Sequence, residues 1–268
     1  MPSPATAWTA DLDLLVGAAR LAGARALDFF RKGPEVWWKN GGRSPVSAAD
    51  FAANDILKTE LLSARPNYGW LSEETDDDAG RLSRETVFVI DPIDGTRAFI
   101  AGKDVWCVSA AVVHRGRPVA GVLFAPALDE LFTAAAGGAA LKNGAPIRAT
   151  DPDAARPTRI AAPEDMAHGI DRHMIGGVQR ISHVPSLAYR LAMVADGRID
   201  ATLVKRNAHD WDLAAADLIL EQAGGALVTL DGAALSYNRP AVSHETLAAA
   251  GLSRLSGLVE ASRHLAGH

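Results

Sequence analysis

Residues 87–96 read Val87-Phe88-Val89-Ile90-Asp91-Pro92-Ile93-Asp94-Gly95-Thr96, an apolar run that delivers two carboxylates and a hydroxyl into one turn. The run predicts a buried strand over 86–90 that ends at the turn. Pro92 fixes its own φ and pushes Asp91 towards an extended conformation. Gly95 permits close approach of the backbone to a ligand. Asp91 and Asp94 stand three residues apart with no basic residue between them, so they repel each other unless a cation sits there. The turn suits a hard divalent metal and, beside it, an anion.

The rest of the chain sets the frame for that turn. Its 268 residues predict one large domain or two tightly joined halves. A net charge of -5 argues against a general nucleic-acid binder, which would carry a basic face. It leaves room for a phosphorylated substrate, because bound metal supplies local positive charge. The single cysteine, Cys107, permits no intramolecular disulfide and reads as a small core residue. Met1-Pro2-Ser3-Pro4 lacks the basic start and apolar stretch of a signal peptide, and no run approaches a membrane span, so the cytoplasm is the expected location.

Residues 8–31 show helical periodicity, with Gly33-Pro34 as the stop. Residues 35–46 read as a polar segment with a turn at Asn40-Gly41-Gly42; Trp37-Trp38 within it reads as a packing or interface pair. Ser47 caps a second helix over 48–64 that ends before Pro66. Trp70–Glu74 predicts a short strand entering an acidic loop. Runs 105–114 and 117–124 flank Arg115-Gly116 as a hairpin, 129–136 continues the pattern, and Asn143-Gly144 marks another tight turn. The middle of the chain is therefore predicted to be mostly antiparallel β. Residues 150–157 form the best internal boundary, dividing an N-terminal α+β part (1–150) from a C-terminal α/β part (151–268). Beyond it the order is strand 158–162, helix 186–196, strand 199–204, helix 211–223, strand 226–230 and a last helix over 252–266.

Four acidic positions can be connected: Glu73 at a strand end, Asp91 and Asp94 in the turn, and Asp212 in the first turn of a helix, where its dipole favours a carboxylate. Singly they have plain readings: a helix-start acid for Asp212, a solvated loop for Glu73-Glu74 and 76–78, and a capped type I turn for 91–96. Their conjunction is more specific. Asp91-Pro92-Ile93-Asp94-Gly95-Thr96 resembles the signature of the inositol monophosphatase family of magnesium-dependent, lithium-sensitive phosphatases. Ser72-Glu73-Glu74 matches its upstream element, Trp211–Ala216 followed by Ala223-Gly224-Gly225 matches its C-terminal motif, and Ser44–Asp50 resembles the segment carrying its water-activating Asp. The motifs occur in the family's order, and the likeness spans roughly residues 10–255.

The resemblance implies a layered αβαβα sandwich of the inositol monophosphatase and fructose-1,6-bisphosphatase type. It puts Glu73, Asp91 and the carbonyl of Ile93 on one Mg²⁺ site, and Asp91, Asp94 and Asp212 on a second, with two or three ions in all. Oxygen-only ligands suit Mg²⁺. Thr96 and Asp50 match the pair that orients and deprotonates the attacking, metal-activated water, with Glu73 also in the catalytic set. Gly95, Thr96 and Asp212 fall on substrate-binding positions, and Glu74 on a supporting one. The expected reaction is hydrolysis of a small phosphate monoester without a phosphoenzyme. Asp11-Leu12-Asp13 has the phosphoaspartate form but reads as a solvated helix start. A homodimer is expected by analogy.

The substrate is less sharply marked. The family's inositol-specific members carry a Glu seven residues before the C-terminal motif's Asp, where this chain has Lys205, followed by Arg206. A lysine prefers an anion to a hydroxyl, which favours a 3′(2′),5′-bisphosphate nucleotide over inositol monophosphate, unless both cations face solvent. Thr96-Arg97-Ala98-Phe99-Ile100 is closer to the nucleotidase and histidinol-phosphate branches. Histidinol-phosphate or fructose-1,6-bisphosphate hydrolysis and a non-catalytic, metal-binding regulatory role are the alternatives. His209 reads equally as a substrate contact or a structural residue. His168, His173 and His183 lack zinc-ligand spacing with a cysteine.

Overall fold

The computed structural model describes residues 7–39, 41–42, 44–151, 156–171 and 177–266. Asn40 of the predicted turn, His173 and residues 152–155 of the predicted boundary lie outside them. Helix α1 (Thr9–Leu27) is shorter than the predicted 8–31, because Arg31 (φ 60°) and Gly33 (φ 63°) carry the chain through left-handed turns. The segment read as polar loop instead forms β1 (Val36–Lys39) and β2 (Ser44–Ser47), an antiparallel pair too short to show a period of two. Trp37 packs edge-on against Phe51, whereas Trp38 is exposed.

Helix α2 (Ala48–Ala64) starts as predicted. Ala49 N donates to Ser47 Oγ (3.3 Å) and Ser47 N donates to Asp50 Oδ2 (2.9 Å), a reciprocal cap. Asp11 departs from its solvated reading: it is buried and accepts from Arg65 Nε at 2.8 Å, tying α1 to the end of α2.

Strands β3 (Gly69–Ser72), β4 (Thr86–Asp94), β5 (Cys107–His114), β6 (Arg117–Ala125), β7 (Glu130–Ala135), β8 (Leu141–Lys142) and β9 (Ala145–Pro146) form one sheet in sequence order. β3 and β4 run parallel and the other neighbours antiparallel. Arg115-Gly116 and Asn143-Gly144 have positive φ at both residues, as tight hairpin turns require. A five-residue helix, α3 (Thr96–Ile100), follows β4.

A second sheet has the order β11-β10-β12-β14-β13. Its strands are β10 (Thr158–Ala161), β11 (Val178–Arg180), β12 (Ala201–Val204), β13 (Gly225–Thr229) and β14 (Leu247–Gly251), joined by α4 (Glu164–Gly169), α5 (Leu187–Ala195) and α6 (Asp210–Gln222). Helix α7 (Leu252–Ser262) and a 3₁₀ turn (Arg263–Leu265) share the predicted last helix. Sequence patterning missed α4, β11 and β14.

The β4 run is apolar throughout because both faces are covered. Phe88 and Ile90 pack with Leu15, Ala19, Leu57 and Leu61 from α1 and α2. Val87, Val89 and Cys107 face Leu191, Leu213 and Leu220 from α5 and α6, which also meet Leu227, Leu247 and Ala249 of the second sheet. Met166 and Leu258, from α4 and α7, cover that sheet's far face with Ile160 and Leu203. Helix pair, sheet, helix pair, sheet, helix pair is the layered αβαβα sandwich. Each fully buried leucine adds roughly 1.5–3 kcal/mol of apolar transfer free energy. α6 approaches β6 closely: a Cβ at Gly121 would stand 3.0 Å from the Ala215 carbonyl oxygen. That contact seats the helix that carries Asp212.

Candidate active site

β4 does not end at Ile90. It continues to Asp94, which pairs with Cys107 after a register shift between Asp91 and Asp94. The irregularity re-aims both carboxylates. Asp91 Oδ1 accepts from the Ile93 amide at 3.0 Å, closing a local Asx turn. Asp94 Oδ2 accepts from Ala188 N at 2.7 Å and from the hydroxyl of Ser186, the N-cap of α5. Asp212, in the first turn of α6, accepts from His209 N at 2.7 Å. Ser109 Oγ donates to the Trp211 carbonyl at 3.0 Å and fastens that turn to β5.

The fold brings one carboxylate oxygen each from Asp91, Asp94 and Asp212 within 4.8 Å of one another. Glu73 stands beside this triad, and Lys39 of β1 reaches both acidic neighbours, at 3.3 Å from Glu73 and 2.7 Å from Glu74. Burial works against the Lys39 charge, but the two carboxylates outweigh it and raise its pKa. The Glu74 side chain is buried rather than solvated.

Burial and the Glu73, Asp94 and Asp212 charges push the Asp91 carboxyl well above the usual range. Burial and Asp212 push Asp94 up to about 7, against the Ser186 and Ala188 hydrogen bonds. Glu73 is raised to about 7 by burial, against the pull of Lys39, with Asp212 adding to the rise. Crowded, acceptor-only oxygens of this kind fit a hard divalent cation, which would relieve the repulsion.

Alongside lies the pair expected to handle water. Thr96 Oγ is 3.0 Å from Asp50 Oδ1 and 3.0 Å from the Ile93 carbonyl. Its single proton serves one acceptor at a time. Asp50 also accepts from Ser47 Oγ at 2.6 Å. Burial raises its pKa, partly offset by the Ser47 and Thr96 hydrogen bonds. Gly95 has φ +96°, and a Cβ there would lie 3.2 Å from Ser186 Cβ and from the Val105 carbonyl. Gly95→Ala should therefore cost about 1–3 kcal/mol of stability and displace Thr96. Urea melts together with turnover check this; an unchanged midpoint would show that the turn relaxes freely.

Sequence reasoning missed Lys39, Ser186 and the Ala188 amide. Ser186 carried a helix-cap signal, but its acceptor lies ninety-two residues away. His209 stacks on Trp211 at 4.7 Å, and its pKa is raised, chiefly by the Asp212 hydrogen bond. Lys205 has its ammonium 2.7 Å from Asp165, both about half exposed, and Arg206 is exposed.

Fold and site together define a class: a five-layer α/β sandwich with an acidic, oxygen-only centre where β4 meets the first turns of α5 and α6. The family model described as "Inositol monophosphatase family" matches residues 10–264, and the chain belongs to that phosphatase family. An inositol-1-monophosphatase of Mesorhizobium japonicum is 35% identical over 84% of this chain and 88% of its own length. A histidinol-phosphatase of Chlorobaculum parvum is 31% identical, covering 81% and 85%. The crystal structure of extragenic suppressor protein suhB from Bartonella henselae superposes with a TM-score of 0.81 at 32% identity, covering 94% of this chain and 98% of that one. Among the described residues, no helix is long and apolar enough to cross a membrane.

Proposed function

We propose that this chain is a Mg²⁺-dependent phosphomonoesterase that hydrolyses a small phosphate ester by direct attack of water. The observation that carries the reading is the Asp91–Asp94–Asp212 cluster beside the Thr96–Asp50 hydrogen bond. Glu73, Asp91 and the Ile93 carbonyl would hold one cation, and Asp91, Asp94 and Asp212 another. Bound Mg²⁺ supplies Lewis-acid stabilisation of phosphoryl charge and lowers the pKa of water. When Thr96 donates to Asp50, the Ile93 carbonyl is left available as a ligand and the Thr96 oxygen lone pairs can accept from water. Asp50, with its raised pKa, is a stronger base than an ordinary carboxylate and receives the proton through Thr96. Backbone N–H groups of Gly95 and Thr96 offer donors to phosphate oxygens.

Inositol monophosphate and a 3′(2′),5′-bisphosphate nucleotide are the proposed substrates. An anionic substrate would have to draw Lys205 away from Asp165. The likeness to a histidinol-phosphatase and the Arg97-Ala98 continuation of the turn support histidinol phosphate as a second reading. The Asp50–Thr96 pair favours catalysis over a purely regulatory role. Phosphate release from these esters and fructose 1,6-bisphosphate, with and without Mg²⁺, tests the reading. Absence of release from all of them would leave the regulatory alternative. Asp50→Asn should lower kcat by about 10²–10⁴-fold with KM little changed. A trapped covalent phosphoryl-enzyme would overturn direct attack by water.

A further inference from the structure

Three of the four carboxylates proposed to hold cations come from neighbouring strands. Glu73 follows β3 directly, Asp91 and Asp94 close β4, and the ladder between the two strands runs from Gly69 and Val87 to Ser72 and Ile90. Glu73 N extends that ladder by donating to the Ile90 carbonyl at 3.2 Å. Asp212 arrives on α6, in another layer of the sandwich. A helix takes its place from packing and side-chain bonds rather than from a strand ladder. The separation of Asp212 from Glu73 therefore depends on what ties the start of α6 to the chain beyond β3.

Beyond Glu73 and Glu74 the chain passes Asp77 and enters a 3₁₀ turn (Ala79–Ser83) that carries Arg81. The Arg81 side chain is 1% exposed. Its Nε and Nη2 donate to the two carboxylate oxygens of Asp77 at 2.6 and 2.8 Å, a bidentate pair. Two further bonds cross to the segment between β13 and β14: Nη1 donates to Asn238 Oδ1 at 2.7 Å and Nη2 to the Arg239 carbonyl at 3.1 Å. Asn238 N donates to Asp210 Oδ2 at 2.8 Å, and His244 Nε2 lies 2.7 Å from Asp210 Oδ1. Asp210 is fully buried and is the first residue of α6, two before Asp212. Backbone bonds sew the same segment to the approach to α6. Asp210 N donates to the Val242 carbonyl at 2.9 Å, and His244 N to the Ala208 carbonyl at 2.8 Å.

A buried polar network of this kind fixes geometry, because losing one acceptor leaves a buried cation short of a partner. Mg²⁺ demands near-ideal octahedral coordination, so small displacements of a ligand weaken its binding. We propose that Arg81 and Asn238 are positioning residues: they clamp the start of α6 to the loop beyond β3 and so hold Asp212 at the separation from Glu73 that the cations require. The inference rests on the phosphomonoesterase reading of the site. It assigns part of the cation affinity to residues that supply no ligand. The cost of drawing a loosened Asp212 into place falls on cation binding rather than on the chemical step.

The test measures Mn²⁺ binding to the full chain by electron paramagnetic resonance, with Mg²⁺ as competitor, and in parallel phosphate release from the ester hydrolysed best. Mn²⁺ takes the same octahedral oxygen shell as Mg²⁺. Asn238 has φ 54°, so Asn238→Gly keeps the backbone and the amide bond to Asp210 while removing the acceptor for Arg81. It should weaken binding of both ions by about tenfold. Its kcat at saturating Mg²⁺ should stay within about twofold of the parent. Arg81→Lys keeps the charge but not the fork that spans Asp77 and Asn238, and should do the same. Asn238→Asp restores an acceptor for Arg81 and should return the affinity to within about twofold of the parent. Arg65→Ala is the stability control: it breaks the Asp11 bond at the far end of α2 from Asp50 and should lower Tm without moving either affinity. Unchanged cation affinity in Asn238→Gly, or an equal loss in Asn238→Asp or Arg65→Ala, overturns the clamp. Cation binding by the parent without release from any ester refutes the phosphomonoesterase reading and leaves the clamp standing. A parent chain that binds neither ion refutes both.

Discussion

Asp91→Asn should lower Mg²⁺-dependent phosphate release by roughly 10³-fold or more while making the metal-free protein more stable above pH 7. The loss follows from the position of Asp91, which is shared by both proposed cation sites and buried in the triad. The gain follows from removing one of several mutually repelling buried charges. An asparagine keeps an oxygen that can accept from the Ile93 amide, so the local turn survives. Phosphate-release assays and thermal melts in a chelator read the two effects separately. Near-normal turnover would remove Asp91 from the metal site, and a lowered melting point would show that its charge is already compensated within the protein.

Without divalent cation, stability should fall as pH rises from about 4 to 7, and Mg²⁺ should reverse the fall only at the upper end. Asp94, Glu73 and the buried Asp217, which accepts from the Tyr237 hydroxyl, hold their protons in the folded chain until about pH 7. Burial is the largest cause in each case. In the unfolded chain these groups lose their protons near pH 4. Between those limits the folded state binds more protons, so the slope of unfolding free energy with pH is negative. Asp200 has the opposite sign: burial is outweighed by Arg156 and Arg159, and its pKa is lowered. Its contribution is lost only below about pH 4, outside this window.

The expected drop in Tm between pH 5 and 7.5 is on the order of 10 °C. Mg²⁺ requires the ionised carboxylates, so its stabilising shift should be large at pH 8 and vanish near pH 5. Scanning fluorimetry across pH, with chelator or Mg²⁺, measures both. A flat or rising Tm over that range would contradict a metal-free site strained by its own buried carboxylates.

Features encoded within a few residues were legible in the amino-acid order alone. Ser47 and Asp50 cap α2 by bonds between neighbours, and Arg115-Gly116 and Asn143-Gly144 turn hairpins through their own backbone preferences. Elements made by their neighbours were not. β14 reads Leu247-Ala248-Ala249-Ala250-Gly251, with little strand propensity of its own, and becomes a strand because β12 and β13 pair on either side of it. β1 and β2 stabilise each other in the same way, and their pairing carries Lys39 to Glu73 and Glu74. Asp11 read as a surface acid because its partner, Arg65, comes from the end of another helix.

The sequence by itself determined which groups are present for chemistry: Asp91, Asp94, Gly95 and Thr96 on one turn, and Glu73, Asp50 and Asp212 in motifs of matching kind. Only the tertiary structure decided how those groups meet. The seating of α6 on β6, the bond from α5 to Asp94, and the ion pairs from Lys39 of β1 to Glu73 and Glu74 all join distant elements. Local backbone preferences reach only a few residues along the chain. Repulsion, burial and hydrogen bonding act across space, and the space is set by how the layers pack.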